Sequence, residues 1–201
     1  MNYDNLMEEQ ISKLDKVPRL LLHACCAPCS SACIERLSDN FKIDIYYYNP
    51  NIDNIEEYNK RLKEVIKFTK EFKTKYPIDV IDGGYDSETF FKMAKGLEEE
   101  PERGKRCYEC YKLRLKKTSE YASNNNYDFF ATTLTLSPYK NSNWINEIGE
   151  KLDKETKSTY LYSDFKKKNG YKRSIELSRE YNLYRQDYCG CIYSKRDKQV
   201  E

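Results

Sequence analysis

RLLLHACCAPCSSACIERL, residues 19–37, is the stretch whose reading decides the fold. Arg19–Cys25 is a short apolar run of strand length, and Pro28, placed at a first helical position, starts a helix through about Ser38. Working outward, Phe41–Tyr48 is rich in β-branched and aromatic residues and reads as a second strand stopped by Asn49-Pro50-Asn51. Apolar spacing at Ile55, Tyr58, Leu62, Val65, Ile66, Phe68 and Phe72 predicts an amphipathic helix over 54–73. Ile78–Ile81 is a third strand closed by Gly83-Gly84, and Asp86 N-caps a helix through about Leu97. Glu98–Arg106, with Pro101 and Gly104, is a charged loop before a helix from Cys107 to about Ala122. A Thr-rich fourth strand over Asp128–Leu136, a helix over 141–153, a fifth strand at Thr159–Phe165 and a helix over 173–182 follow. Residues 1–18 form a polar, helix-prone N-terminal extension ending at Pro18, and residues 186–201 a tail that carries Cys189 and Cys191.

Parallel strands need long crossovers, so strands alternating with helices predict an α/β fold of three layers around a mainly parallel five-stranded sheet. No repeat, low-complexity tract or linker divides the chain, which reads as one domain over 1–201.

Composition narrows the function. Lys+Arg 35 against Asp+Glu 33 leaves a net charge of +2, so disorder by self-repulsion is excluded, although Leu, Ile, Val and Phe fill only about a fifth of the chain. Nineteen tyrosines supply further partly apolar side chains. The longest apolar run, Leu20–Pro28, is roughly half a membrane span and contains His23, which argues against a membrane protein. The acidic start MNYDNLMEEQ lacks the basic and apolar regions of an export signal, so the expected compartment is a reducing cytoplasm. There, eight clustered cysteines are expected to bind metal or react rather than form structural disulfides.

The cysteines fall into three groups: Cys25, Cys26, Cys29 and Cys33, then Cys107 and Cys110, then Cys189 and Cys191. The first group sits where a strand hands over to a helix N-terminus. That corner of an α/β sheet binds anionic ligands and lowers thiol pKa. A phosphate-binding protein fills it with glycines, and neither GxGxxG nor a Gly-rich GKS/T loop occurs here. Cys107-Tyr-Glu-Cys110 has chelating spacing, and Gly190 allows a turn that can bring Cys189 and Cys191 together. A zinc site from Cys26, Cys29, Cys107 and Cys110, thiol–disulfide chemistry at Cys107/Cys110, and an iron–sulfur site all fit part of this pattern. The iron–sulfur site accounts for the most cysteines, with Cys33 left over as a small buried apolar residue.

His23, the lone histidine, shares strand parity with Cys25 and reads as a structural hydrogen-bonding residue rather than a ligand. Two basic stretches, Lys112–Lys117 and Lys166–Arg173, are either solvated faces or tracks for a phosphate backbone. The run Thr132–Ser137 places hydroxyls near the end of the fourth strand.

LLHACCAPCS, CYECYKLRL, ATTLTLSPYKN and YRQDYCGC, in this order, resemble the QueH family of epoxyqueuosine reductases over about Leu20–Ser194. The resemblance implies a Rossmann-like sandwich of the PP-loop (HUP-like) kind and reduction of epoxyqueuosine to queuosine at the tRNA wobble position. It implies a cobalamin-independent oxidoreductase with a 4Fe–4S cluster, held by Cys25, Cys26, Cys107 and Cys110. It makes Cys189 and Cys191 a redox-active, disulfide-forming pair. In another partition Cys29 and part of the terminal pair hold an adjacent mononuclear iron, so the metal-binding union is Cys25, Cys26, Cys29, Cys107, Cys110, Cys189 and Cys191. An external electron donor is implied, since no nicotinamide or flavin fingerprint is present. Tyr108, Tyr139, Asp187 and Tyr188 lie in or beside the motifs as possible proton donors. The competing class is a zinc-stabilised, non-catalytic RNA-binding module.

Overall fold

A computed structural model describes residues 1–198; residues 199–201, the end of the expected tail, lie outside the described residues. The strands β1 (Arg19–His23), β2 (Lys42–Tyr47), β3 (Val80–Asp82), β4 (Phe129–Thr132) and β5 (Thr159–Tyr160) form one sheet of order β3-β2-β1-β4-β5. Every pairing is parallel. β1 is central because Leu20, Leu21 and Leu22 are apolar on both faces, as a strand covered on both sides requires. Leu20 and Leu22 pack with Ile43, Ile45 and Phe165, whereas Leu21 packs on the opposite face with Phe130, Leu115 and Ile148.

The helices α1 (Tyr3–Ser12), α2 (Ala27–Leu37), α3 (Ile55–Glu71) and α7 (Gly170–Glu180) contribute to the first of these cores. α5 (Lys105–Asn124) and α6 (Ser142–Asp153) contribute to the second. The expected Rossmann-like three-layer sandwich is therefore the observed one. α4 (Ser87–Ala94) and α8 (Ile192–Lys198) complete the chain. Side-chain caps start the helices at local sequence signals. Asn54 accepts from Glu56 and Glu57, Asp86 from Thr89, and Asn141 from Asn143 and Trp144.

Several boundaries differ from the sequence reading, each for a local reason. Ala27, not Pro28, is the first residue of α2, and Cys26 takes the N-cap position with extended backbone. The expected fourth strand stops at Thr132, whose Oγ1 accepts from the Leu134 amide and turns the chain into a 3-10 helix over Thr133–Leu136. The expected fifth strand ends at Tyr160, although β4 runs on through Ala131 and Thr132. Side chains satisfy its freed amides instead: Tyr162 N–H donates to Gln10 Oε1, Ser163 N–H to Asn146 Oδ1 and Phe165 N–H to Thr135 Oγ1. α7 begins at Gly170, three residues early, because the turn before it uses left-handed Lys168 and Asn169.

The polar extension is built into the fold rather than set apart from it. Tyr3, Asp4 and Met7 are buried, and Arg36 pairs with Asp4 at 2.7 Å and Glu8 at 2.6 Å. Gln10 Nε2 donates to Tyr160 O while its Oε1 receives Tyr162 N–H, both at 2.9 Å.

Gly149 of α6 lies flat on the Tyr160 ring, and a Cβ there would stand 2.3 Å from Tyr160 Cζ. Overpacking at this depth costs about 1–3 kcal/mol, more than the helix propensity alanine recovers. Gly149→Ala should lower the urea midpoint with an unchanged m-value, a net loss of about 1–2 kcal/mol.

Candidate functional site

Ligand sites in open α/β sheets lie beyond the carboxyl ends of strands, where the strand order reverses. Here that point is between β1 and β4. The chain leaves β1 through Ala24-Cys25-Cys26 into α2, and leaves β4 through the 3-10 turn and Ser137-Pro138-Tyr139-Lys140. A cleft of about 820 Å³ opens there, with Cys25, Cys29, Cys189, Arg114 and Lys140 among its lining residues.

Three cysteines of the first group meet closely. The sulfurs of Cys25, Cys26 and Cys29 lie within 4.8 Å of one another, and Cys25 Sγ is 3.7 Å from Cys26 Sγ. Cys26 ends the extended segment and Cys29 sits in the first turn of α2, so the chain bends back on itself around the sulfurs. Hydrogen bonds from Cys26 and Cys29 hold the Cys25 thiol well below the usual thiol range, outweighing burial, with Arg114 and Lys140 adding to the effect. The same bonds raise Cys26 and Cys29, since they are the donors to that thiolate. Cys33 is fully buried in the first core, and its thiol donates to Cys29 O at 3.2 Å, in keeping with a packing role.

The other two groups converge on the same region. α5 begins just before Cys107, which accepts from the Arg103 amide at 3.3 Å, and Cys110 lies one turn further along. Burial raises Cys110 to about 11 and Cys191 to about 12. Cys191 packs with Cys110, Phe90 and Ala94 in a small apolar cluster, whereas Cys189 lines the cleft. Gly190 does adopt a left-handed φ of 104°, as a turn between the two requires. All eight cysteines are free, so Cys189 and Cys191 form no disulfide here, and the two thiols occupy different surroundings.

The cations of the site escaped the sequence reading. Arg114, inside the basic stretch Lys112–Lys117, is 1 % exposed. Its Nη2 donates to Asn49 Oδ1 at 2.6 Å and its Nε to His23 Nε2 at 3.3 Å. No carboxylate pairs with it among the described ion pairs. Burial opposes its charge, and the neighbouring sulfurs of Cys110, Cys25 and Cys189 favour it, Cys25 being the thiol held low. Its signal was positional: Arg114 follows Cys110 by four residues and so shares a helix face with it. Lys140 Nζ lies 3.6 Å from Cys189 Sγ. Arg61, also buried, donates to Cys189 O at 3.2 Å and Tyr188 O at 3.5 Å and fixes the tail against α3.

His23 is buried and pushed down to about 3 by desolvation and by Arg114, so it stays neutral. Its ring nitrogens meet Thr132 Oγ1 at 2.9 Å and Tyr48 O at 3.1 Å, the structural role expected of it. The Lys166–Arg173 stretch is largely consumed by ion pairs. Lys166 pairs with Asp164, Lys168 with Asp4 and Glu8, and Arg173 with Glu35 and Glu176. In the other stretch Lys112, Lys116 and Lys117 pair with Glu109 and Glu120 along one helix. Tyr139, Asp187 and Tyr188 line the cleft; Tyr108 does not, packing edge-on against Trp144.

The donor set fits a soft or borderline metal. Thiolates bound at about 2.3 Å to one tetrahedral ion stand roughly 3.8 Å apart, close to the Cys25–Cys26 spacing. Gln186 Oε1 in the cleft lining and Asn51 Oδ1 near Cys189 are buried acceptors without a partner.

Fold and site together define a thiol-rich Rossmann-like protein whose cleft combines cysteines with buried cations. The family model "Epoxyqueuosine reductase QueH" matches residues 20–197. The chain is 40 % identical to the epoxyqueuosine reductase QueH of Streptococcus pyogenes serotype M1, an alignment covering all of this chain and 81 % of the relative. It is 41 % identical to the Staphylococcus epidermidis protein of that name, with 100 % and 87 % covered, and 32 % identical to the Thermotoga maritima one, with 90 % and 94 % covered. The chain belongs to the epoxyqueuosine reductase QueH family.

The thiol pKa pattern is directly measurable. In metal-free protein, Cys25 should alkylate with a pH midpoint below 9, while Cys110 and Cys191 stay unmodified at that pH unless the protein unfolds. Peptide mass spectrometry after pulsed iodoacetamide reads the order, and Cys191 reacting ahead of Cys25 would contradict it.

Proposed function

We propose that the chain reduces epoxyqueuosine to queuosine at the wobble position of tRNA, working as one domain in a reducing cytoplasm. The observation that carries this reading is the cleft, in a chain of the QueH family, where cysteines distant in sequence face one space with Arg114 and Lys140. No helix among the described residues is long and apolar enough to cross a membrane. The proposed holder set is Cys25, Cys26, Cys107 and Cys110 for a 4Fe–4S cluster, with Cys29, Cys189 and Cys191 completing an adjacent iron site or a redox dithiol, and no cobalamin. Bound there, the cluster supplies single electrons from an external donor.

Deoxygenating an epoxide to an alkene takes two electrons and two protons and releases water. The residues of this chain serve that stoichiometry in distinct ways. Arg114 and Lys140 concentrate positive charge where thiolates and a developing oxyanion need it. Gln186 Oε1, in the cleft lining, is free to accept a hydrogen bond from a polar nucleoside. Tyr139, Asp187 and Tyr188 are among the cleft groups able to give a proton. Oxidation of the Cys189 and Cys191 thiols to a disulfide releases two electrons and two protons, matching the requirement, but brings the two sulfurs together only if the tail rearranges.

Anaerobic purification should give a brown protein with broad visible absorption and stoichiometric iron and sulfide. Cys107→Ala or Cys191→Ala should leave epoxyqueuosine in cellular tRNA, read by nucleoside mass spectrometry. A colourless protein with one zinc and unchanged tRNA in both variants would overturn the reading in favour of a zinc-stabilised RNA-binding module, which the Cys25–Cys26–Cys29 trio also suits.

A further inference from the structure

Tyr139 is 60 % exposed, and of the large exposed apolar side chains among the described residues it alone lines the cleft. The turn that carries it is fixed: Pro138 sets the bend, Tyr139 N–H donates to Ser137 Oγ at 3.3 Å and Lys140 N–H to Ser137 O at 3.2 Å. Successive side chains then part company. Lys140 reaches inward to Cys189, and Tyr139 stays at the rim.

The Arg103 guanidinium stands 5.4 Å from the centre of the Tyr139 ring. Arg103 is itself held in place. Its backbone is left-handed, with φ 71°, and its amide donates to Cys107 Sγ. The loop before it is pinned by buried Arg106, which donates to the carbonyls of Leu97, Glu98 and Glu100. A rigid loop thus presents a cation beside a flat aromatic face. Around the same cleft stand Arg114, Lys140 and Arg185 against Glu102 and Asp187, an excess of positive charge.

Exposed rings with a guanidinium partner, at the mouth of a positively charged cleft, fit nucleobases that have left their stack. A nucleoside drawn into the cleft loses its neighbours, and a neighbouring base is left with an uncovered face. We propose that Tyr139, backed by Arg103, is the stacking platform for the base next to the nucleoside that enters the cleft. This rests on the tRNA reading above and names the part of the RNA held at this rim.

The test is fluorescence anisotropy of the anaerobically purified full-length protein with a labelled anticodon stem-loop RNA. Two further RNAs carry an abasic site immediately upstream or downstream of the wobble nucleotide. Tyr139→Ala should weaken binding of the intact RNA about five- to 100-fold, and Tyr139→Phe should stay within about twofold of wild type. On one of the two abasic RNAs the Ala and wild-type affinities should coincide, because the stacked base is gone. The salt slope should not change, since no phosphate contact is removed. Equal binding by wild type and Tyr139→Ala, an equal loss on all three RNAs, or a Phe variant as weak as Ala would overturn the platform while leaving the tRNA reading standing. Failure of wild-type protein to bind any of the RNAs would overturn both.

Discussion

A guanidinium sealed from water must be answered by negative charge, and Arg114 finds no carboxylate among the described ion pairs. An unpaired charge in that position costs several kcal/mol. Arg114 is tolerable because sulfurs from all three cysteine groups surround it, the low Cys25 thiol supplying the negative charge, while Asn49 and His23 orient it. Asn49 also donates to Ala24 O, so one side chain ties the exit of the central strand to the buried charge. Neutral His23 is part of the same economy, since a second cation beside Arg114 would be repelled. Strand, helix and tail are thereby organised around one positive centre before any metal is considered.

The tail is held by a second buried guanidinium. Arg61 pairs with Glu57 on its own helix and spends its remaining donors on the carbonyls of Cys189 and Tyr188. Asn51 adds a bond to Cys189 O, and Gly190 O accepts from the Asp53 amide. Only glycine fits between the two terminal cysteines: a Cβ there would come within 2.9 Å of Ile52 and 3.2 Å of Arg61. The CxC segment is thus pressed against the loop that follows β2 and against α3. Metal loading that joins it to the first strand should stabilise the whole chain, because binding free energy adds to folding free energy.

The architecture was readable because its determinants are local. Leu20-Leu21-Leu22 can only be central, and Asn54, Asp86 and Asn141 announce their helices. What was misplaced depends on distant partners. β5 stops early where Gln10 and Asn146 take the amides of Tyr162 and Ser163, and no periodicity in residues 159–165 records that. The cysteines were legible as a set, since thiol clustering is a sequence property. Their counter-charges were not. Arg114 looks like one more member of a basic run, and only the fold shows that its neighbours Lys112, Lys116 and Lys117 face water while it does not. The Lys166–Arg173 run misled in the opposite direction, because its partners Asp4, Glu8 and Glu35 lie far away in the chain.

Gln10 has a consequence beyond holding α1 in place. A parallel sheet that ends in a two-residue strand leaves peptide groups at its border that could recruit a strand from another molecule. The Gln10 amide offers one donor and one acceptor in the spacing of a peptide group and occupies the carbonyl of Tyr160 and the amide of Tyr162. It acts as a strand one residue long, delivered by a helix, and it denies that border to the edge-to-edge pairing from which aggregates grow.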